Sequence, residues 1–278
     1  MVRQQKRERG GDDDRPGVWK AYGRVVKLLR DKAGLTQQQL ADAVGYSVEQ
    51  VASIEQGRRA AKPAFTKAAE EVLDAGGVLD AMQEDVDLAR LPAFFQDVAM
   101  IEGDATTYCW FGNDLIPGLL QIEDYTRAVF GVRCPPLTDD ETEQLLEARM
   151  QRQLMLTRTP TVDVSFIIGE SVLRCPIGGR DVLKAQLAHL RKQMTLPNVD
   201  IQIMPLSYGA HVGVSGPMIL LETREHRRVA YIESQGIGQL VSDPKKVSTL
   251  AMRYGKLRTQ ALNAFESAKF VERIEGEL

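Results

Sequence analysis

Between Leu35 and Pro63 the chain reads LTQQQLADAVGYSVEQVASIEQGRRAAKP, a stretch that leaves room for little except two short helices and a tight turn. Thr36 stands where a helix N-cap is needed and Gln39 follows at the capping-box spacing, so each side chain can satisfy the other's backbone N–H. Leu40, Ala41 and Val44 then fall on one helical face. Gly45 can close this helix in the left-handed conformation. Ser47 opens the next with a second capping-box partner, Gln50, before Val51 and Ile54 repeat the apolar spacing and Gly57 stops it.

A connection of about three residues forces the helices to cross steeply, the arrangement of a helix-turn-helix whose second helix enters a major groove. Helical geometry points Val51 and Ile54 inward, so the helix 47–57 presents Val48, Glu49, Gln50, Ala52 and Ser53 as candidate base readers. Gln50 has the amide that pairs with adenine, and its capping-box place is an equally good structural account of it. Near DNA, Glu49 either accepts from cytosine N4 or is repelled by phosphate. Phosphate contacts fall to Thr36 and Gln37, at a helix N-terminus whose amides point outward, and to Arg58 and Arg59 just past the second helix.

The pattern Leu35-Thr36-Gln37, Leu40-Ala41, Val44-Gly45, Ser47, Val51, Ile54-Glu55 and Gly57-Arg58-Arg59 resembles the lambda-repressor-like (Xre-type) helix-turn-helix proteins. The remainder, with LIPGLLQIEDYTRAVF, EARMQRQ, PNVDIQIMPLSYGAHVG and the end of the chain, is similar to a large actinobacterial group of such regulators with a conserved C-terminal domain of uncharacterised role. That resemblance implies transcription regulation, double-stranded DNA as partner and a homodimer on a two-fold operator. It also implies a structural ion pair between Arg30 and Glu55, and a small partner protein encoded nearby that an antitoxin-like C-terminal domain would sequester. Glu49 departs from the basic or amide residue common at its position in the family.

Charge is distributed in the same sense. From Arg15 to Lys67 there are ten Lys or Arg against four Asp or Glu, whereas from Ala68 onward there are 21 against 30. A basic module on an acidic body suits nucleic-acid binding by one part of the chain and another task for the rest. At 278 residues, 44% hydrophobic and 26% charged, the chain reads as a globular protein of two domains. Its polar start and the lack of a membrane-length apolar run make the cytoplasm the expected location. Cys109, Cys134 and Cys175 lie far apart and read as buried thiols.

The expected organisation is a flexible tail over 1–17, an all-α five-helix helix-turn-helix domain over 18–88 and an α+β domain over 92–278. Helical patterns run Trp19–Ala33, Ala64–Leu73 and Val78–Leu88, then Ala93–Gly103, Glu123–Phe130, a long helix from Thr138 to near Arg158, and Asp181–Leu196. Strand patterns at Thr106–Phe111, Thr161–Ile168, Val199–Met204, Pro217–Glu222 and Arg228–Glu233 predict a mixed sheet of about four strands. Asp243-Pro244 opens a last long helix whose stripe, Val247, Leu250, Ala251, Tyr254, Leu257, Ala261, Leu262 and Phe265, exceeds what one sheet face needs. The surplus predicts self-association and partner contact.

Catalysis has no comparable support, and neither a catalytic, a cofactor-binding nor a metal-ligating residue is assigned. Gly213-Val214-Ser215-Gly216-Pro217 misses a nucleophile elbow because Pro217 stands where the outer glycine belongs, and Gly236-Ile237-Gly238 reads as a turn. His189, His211 and His226 are not paired at metal spacing. Gly178-Gly179 precedes a helix without a phosphate-loop lysine. A small-molecule receptor is the other reading of the C-terminal domain, to be favoured by a pocket with converging polar groups.

Overall fold

The computed structural model of the chain describes residues 16–90 and 93–278, so the tail read over 1–17 lies outside them except for Pro16 and Gly17. Two compact units part between Arg90 and Leu91.

The N-terminal unit is built from α1 (Gly17–Lys32), α2 (Gln37–Val44), α3 (Val48–Glu55), α4 (Pro63–Val72) and α5 (Val78–Leu88). Both capping boxes form: Thr36 and Gln39 close the start of α2, and Ser47 and Gln50 the start of α3. The core gathers Tyr22, Val26, Leu40, Val51, Ile54, Phe65, Leu79 and Val86. Close helix crossing is set by Gly23, where a Cβ would stand 2.3 Å from the Ile54 carbonyl oxygen, so α1 and α3 touch backbone to backbone. At the Gly76-Gly77 break both residues have positive φ, and the Glu70 carboxylate caps α5 by accepting from Leu79 and Asp80 at 2.9 and 3.1 Å. Trp19 Nε1 donates to the Val86 carbonyl at 3.0 Å, tying α5 back to α1.

The C-terminal unit opens with α6 (Ala93–Asp104) and β1 (Ala105–Gly112), followed by α7 (Glu123–Gly131), α8 (Asp139–Arg152), β2 (Asp163–Gly169), α9 (Glu170–Arg174), α10 (Arg180–Gln193) and β3 (Val199–Met204). It continues through β4 (Met218–Thr223), β5 (Arg228–Ser234), β6 (Ile237–Val241), α11 (Pro244–Gln260) and α12 (Ala264–Glu277). The strands form one mixed sheet in the order β3-β2-β1-β4-β5-β6. β1, β2 and β3 run parallel, linked by helical crossovers, while β4 to β6 form an antiparallel meander joined to β1. Strand alternation sorts the side chains onto two faces. Tyr108, Phe166, Ile203, Ile219 and Tyr231 join the large core under α7, α10 and α12. Phe111, Ile167, Met204 and Met218 meet Tyr254 and Leu257 of α11 on the other face.

Three expectations need correction. The sheet has six strands where about four were expected. Five of them correspond to the strand patterns in the sequence; the sixth, β6, was hidden because Gly236-Ile237-Gly238 looks like a turn. The turn is in fact Gln235-Gly236, both at positive φ, the two-residue hairpin geometry that hands the chain straight into a new strand. The long helix read to Arg158 ends at Arg152 and tightens into a 3₁₀ turn over Gln153–Leu156, which turns Leu154 out at 55% exposure and buries Met155 and Leu156. The last long helix is two helices. Asn263 forms a capping box with Glu266 that starts α12 afresh, and the break crosses the edge of β3, where the Leu262 N–H donates to the Ile203 carbonyl and Ser267 accepts from the Ile203 N–H, each at 2.9 Å.

The stripe from Val247 to Phe265 therefore divides. Val247, Tyr254 and Leu257 are buried, and Leu250 packs beside them against the sheet. Phe265 lies beyond the break, 69% exposed with Lys269 Nζ 4.3 Å from its ring centroid. The cysteine expectation also changes, since Cys134 and Cys175 are exposed and Cys109 is half-buried.

Candidate nucleic-acid interface

The turn between α2 and α3 consists of Gly45, Tyr46 and Ser47, with Gly45 left-handed at φ 74°. Tyr46 N–H donates to the Ala41 carbonyl at 3.0 Å, and its ring meets Phe65 edge-on at 5.2 Å. The turn is thereby pinned to the core, which fixes the angle at which α3 is presented.

On α3 the inward positions Val51, Ile54 and Glu55 are buried at 0%, 2% and 6% exposure. Of the sequence-derived base readers, Glu49 is exposed, whereas Val48, Gln50, Ala52 and Ser53 are half-buried. Val48 packs partly on the core, so only part of its surface is presented. Gln50 Oε1 accepts from the Ser47 N–H at 3.0 Å, leaving the side-chain NH2 as the group it can offer to a base edge. Glu49 lies in the first turn of α3, where a carboxylate meets the positive end of the helix dipole. That is a structural reason for an acidic side chain on an otherwise basic module.

Past α3 the chain folds back so that the N–H groups of Arg58 and Arg59 both donate to the Ser53 carbonyl, at 2.8 and 3.3 Å. Arg58 is exposed and Arg59 half-buried. Gly57 permits this with φ +62°, its Cα packed so tightly that a Cβ would stand 2.7 Å from Lys20 Cα. At the start of α2, Thr36 is exposed and its hydroxyl accepts from the Gln39 N–H at 3.2 Å. The N–H groups of the first helical turn then face outward, as at any helix start that receives an anion.

Beneath this surface Arg30 and Glu55 form a two-bond pair, Nε to Oε1 at 2.5 Å and a terminal nitrogen to Oε2 at 3.1 Å. Arg30 also donates to the Leu35 carbonyl at 2.8 Å, and Gln37 Nε2 donates to Glu55 Oε2 at 2.8 Å. One buried carboxylate thus clamps α1, the start of α2 and the end of α3. The hydrogen bond that Arg30 donates to the Glu55 carboxylate holds its guanidinium above its ordinary range. The Gln37 side chain belongs to this clamp, so what it can offer a phosphate is its backbone N–H; the sequence carried no sign of this, because the partner is 18 residues away.

The motifs weighed for catalysis have ordinary structural places. Gly213 and Ser215 lie in a 3₁₀ turn whose Gly213 N–H donates to His211 Nδ1 at 3.1 Å. His226 is exposed beside Glu222 at 3.0 Å. Gly178 and Gly179 both have positive φ ahead of α10. Among the described residues, no three His, Cys, Asp or Glu side chains gather as a metal site, and no helix is long and apolar enough to cross a membrane.

Two capped helices set across a pinned turn, with arginines closing the second, define a helix-turn-helix domain, and residues 21–82 match the family model for a helix-turn-helix domain. Such a domain suggests DNA binding and, with it, transcription regulation. Residues 95–273, more than half of the chain, match the family described as domain of unknown function (DUF5753), and the chain belongs to that family. No curated protein and no solved structure matches it.

Proposed function

We propose that the chain is a sequence-specific transcription regulator of the lambda-repressor-like (Xre) type, acting in the cytoplasm as a homodimer on a two-fold operator. α3 enters the major groove with Glu49, Ala52 and Ser53 toward base edges, together with the Gln50 NH2 and the outer part of Val48. Thr36, the Gln37 N–H, Arg58 and Arg59 hold phosphates on either side. The observation that carries this reading is the clamp of Arg30, Gln37 and Glu55, which locks α1, α2 and α3 into one rigid surface. Dimerisation follows from economy, because a single module of this size buries too little surface for tight, specific binding.

The C-terminal unit serves as a signal-responsive, non-catalytic domain. Sequestration of a small partner protein loses its main sequence support once the apolar stripe of α11 packs on the sheet. A cavity beside Trp110 favours the receptor reading instead.

The test is a fluorescence-anisotropy titration of full-length protein on duplexes selected from random sequence. Specific binding that weakens steeply with added salt is expected. Binding that ignores salt, or that is equally tight on every duplex, would refute the proposal.

A further inference from the structure

Where the parallel half of the sheet meets the antiparallel meander, one row of side chains on a single face runs Trp110, Ile219 and Tyr231 across β1, β4 and β5. The next position along β1 on that face is Gly112, which has no side chain to fill it. A Cβ built there would stand 2.4 Å from Cη2 and 2.6 Å from Cζ2 of Trp110. The indole's six-membered ring therefore lies over the bare Gly112 backbone. Along β5 the corresponding next position is Glu233, whose cross-strand partner is Gly238, again without a side chain. Beside this row a cavity of about 300 Å³ opens, bounded by Trp110, Gly112, Ile219, Tyr231 and Glu233, with Asp114 just past the end of β1.

The chemistry of that lining is one-sided. Its accessible aromatic surface is the half-buried indole of Trp110, since Tyr231 beside it is buried, and its charged groups are the carboxylates of Asp114 and Glu233; among the described residues, no lysine or arginine lines the cavity. Arg149, Arg133 and Arg152 act on Glu233 through space, and each also engages another group. Arg152 donates to Glu102 at 2.8 and 2.9 Å. Arg149 donates to Gln121 at 2.8 Å with its guanidinium 4.6 Å from the Phe130 ring centroid, and the Arg133 guanidinium lies 5.8 Å from the same centroid. An anion entering the cavity would meet two carboxylates and the indole of Trp110, which oppose it. A cation is favoured by both kinds of group, and an indole is the best aromatic surface for one. The volume stands at the lower end of ligand cavities, fitting a single ring or a short branched chain.

We propose that this cavity is a binding site for a small organic cation, a primary or quaternary amine with a compact apolar or aromatic body. The body rests on Trp110, and the ammonium group faces Glu233, with Asp114 adding to the field at the mouth. Nothing in this assignment depends on DNA binding, so it stands or falls separately from the regulator reading.

The test uses full-length protein carrying Trp19→Phe, which leaves Trp110 as the reporter, since the chain has two tryptophans. Phenethylammonium, phenylacetate and 2-phenylethanol share a ring and differ in charge. Saturable quenching of Trp110 by phenethylammonium in the millimolar range or below is expected, with phenylacetate at least about tenfold weaker, a difference of roughly 1.4 kcal/mol. Glu233→Gln, at the exposed rim, should weaken phenethylammonium by a similar factor without moving the melting temperature. Gly112→Ala should displace the indole and remove binding. Equal affinity for all three compounds, a preference for phenylacetate, retention of full affinity by Glu233→Gln, or no saturable quenching by phenethylammonium would each overturn the assignment.

Discussion

The two units make their sites in opposite ways. In the helix-turn-helix the surface proposed for DNA is a set of side chains close in sequence, from Thr36 to Arg59, held by caps that form between residues three apart. In the C-terminal unit the cavity is assembled from β1, β4 and β5, so that Trp110, Ile219 and Tyr231 come into one row only when the sheet forms. The first kind of site projects outward from a small rigid core. The second is a space beside the indole that lies over Gly112. A surface of the first kind tolerates exchange of its outer side chains, while a cavity of the second kind changes with a single methyl group.

The largest effect should come from the point where the local site depends on a distant partner. Arg30→Ala leaves Glu55, whose side chain is 2% exposed, with Gln37 as its remaining side-chain partner. Breaking a buried pair by removing one member costs about 3 kcal/mol. Calorimetry of the full chain should show the N-terminal transition falling while the C-terminal transition stays in place. A shift of both transitions together would break the separation of the two units.

Next comes the combined change Arg58→Ala and Arg59→Ala. Removing two charges proposed to hold phosphates should lower affinity on every duplex by roughly the same factor and reduce the salt slope by about 2. Melting temperatures should hold. If affinity fell on the operator alone, these arginines would be base readers and the division of roles on the surface would need redrawing. Glu49→Gln, by contrast, should change which base is preferred, an effect of about 1 to 3 kcal/mol between duplexes.

The C-terminal counterpart is Tyr254→Phe. The Tyr254 hydroxyl donates to the Ser165 carbonyl at 2.9 Å beneath α11, and burial holds the phenol well above its ordinary range. Losing one buried hydrogen bond should cost about 1 to 2 kcal/mol in the C-terminal transition, with DNA affinity per folded module unchanged.

How much of each unit was legible in the sequence follows from the same contrast. Caps, apolar spacing and stop glycines act over three or four residues, so α2, the Gly45 turn and α3 could be read directly. The sheet was read short because the Gln235-Gly236 hairpin turn is one residue away from where the glycine pattern seemed to place it. The break before α12 did carry a signal, Asn263 with Glu266, but a continuous apolar stripe on either side masked it. Two features were illegible in principle: the Gln37 side chain turning to Glu55, and the indole lying over Gly112. The first depends on how three helices cross, and in the second Gly112 reads as an ordinary strand end until β4 and β5 line up beside it.

A matched pair of cap substitutions carries the comparison to its smallest scale. Ser47 and Asn263 hold the same place in a capping box, each accepting from the N–H three residues on. Replacing either by Ala should cost about 1 kcal/mol in its own unit. The helices they start differ: α3 has 8 residues and α12 has 14, with Val271 and Ile274 buried beneath it. A short helix gains little from propagation once its first turn frays, so Ser47→Ala should loosen the surface that presents Glu49 and Gln50. Operator affinity should then fall by several-fold beyond what the lost stability explains, at a temperature where the module remains folded. Asn263→Ala should leave operator affinity at its starting value, because α12 is anchored through Val271 and Ile274 and the cap adds only stability. Anisotropy titrations of both variants below the first melting transition separate the cases. Equal losses of operator affinity would mean that the C-terminal unit contributes to DNA binding through its own folding, and the contrast between a locally built site and a distantly assembled one would no longer map onto two functions.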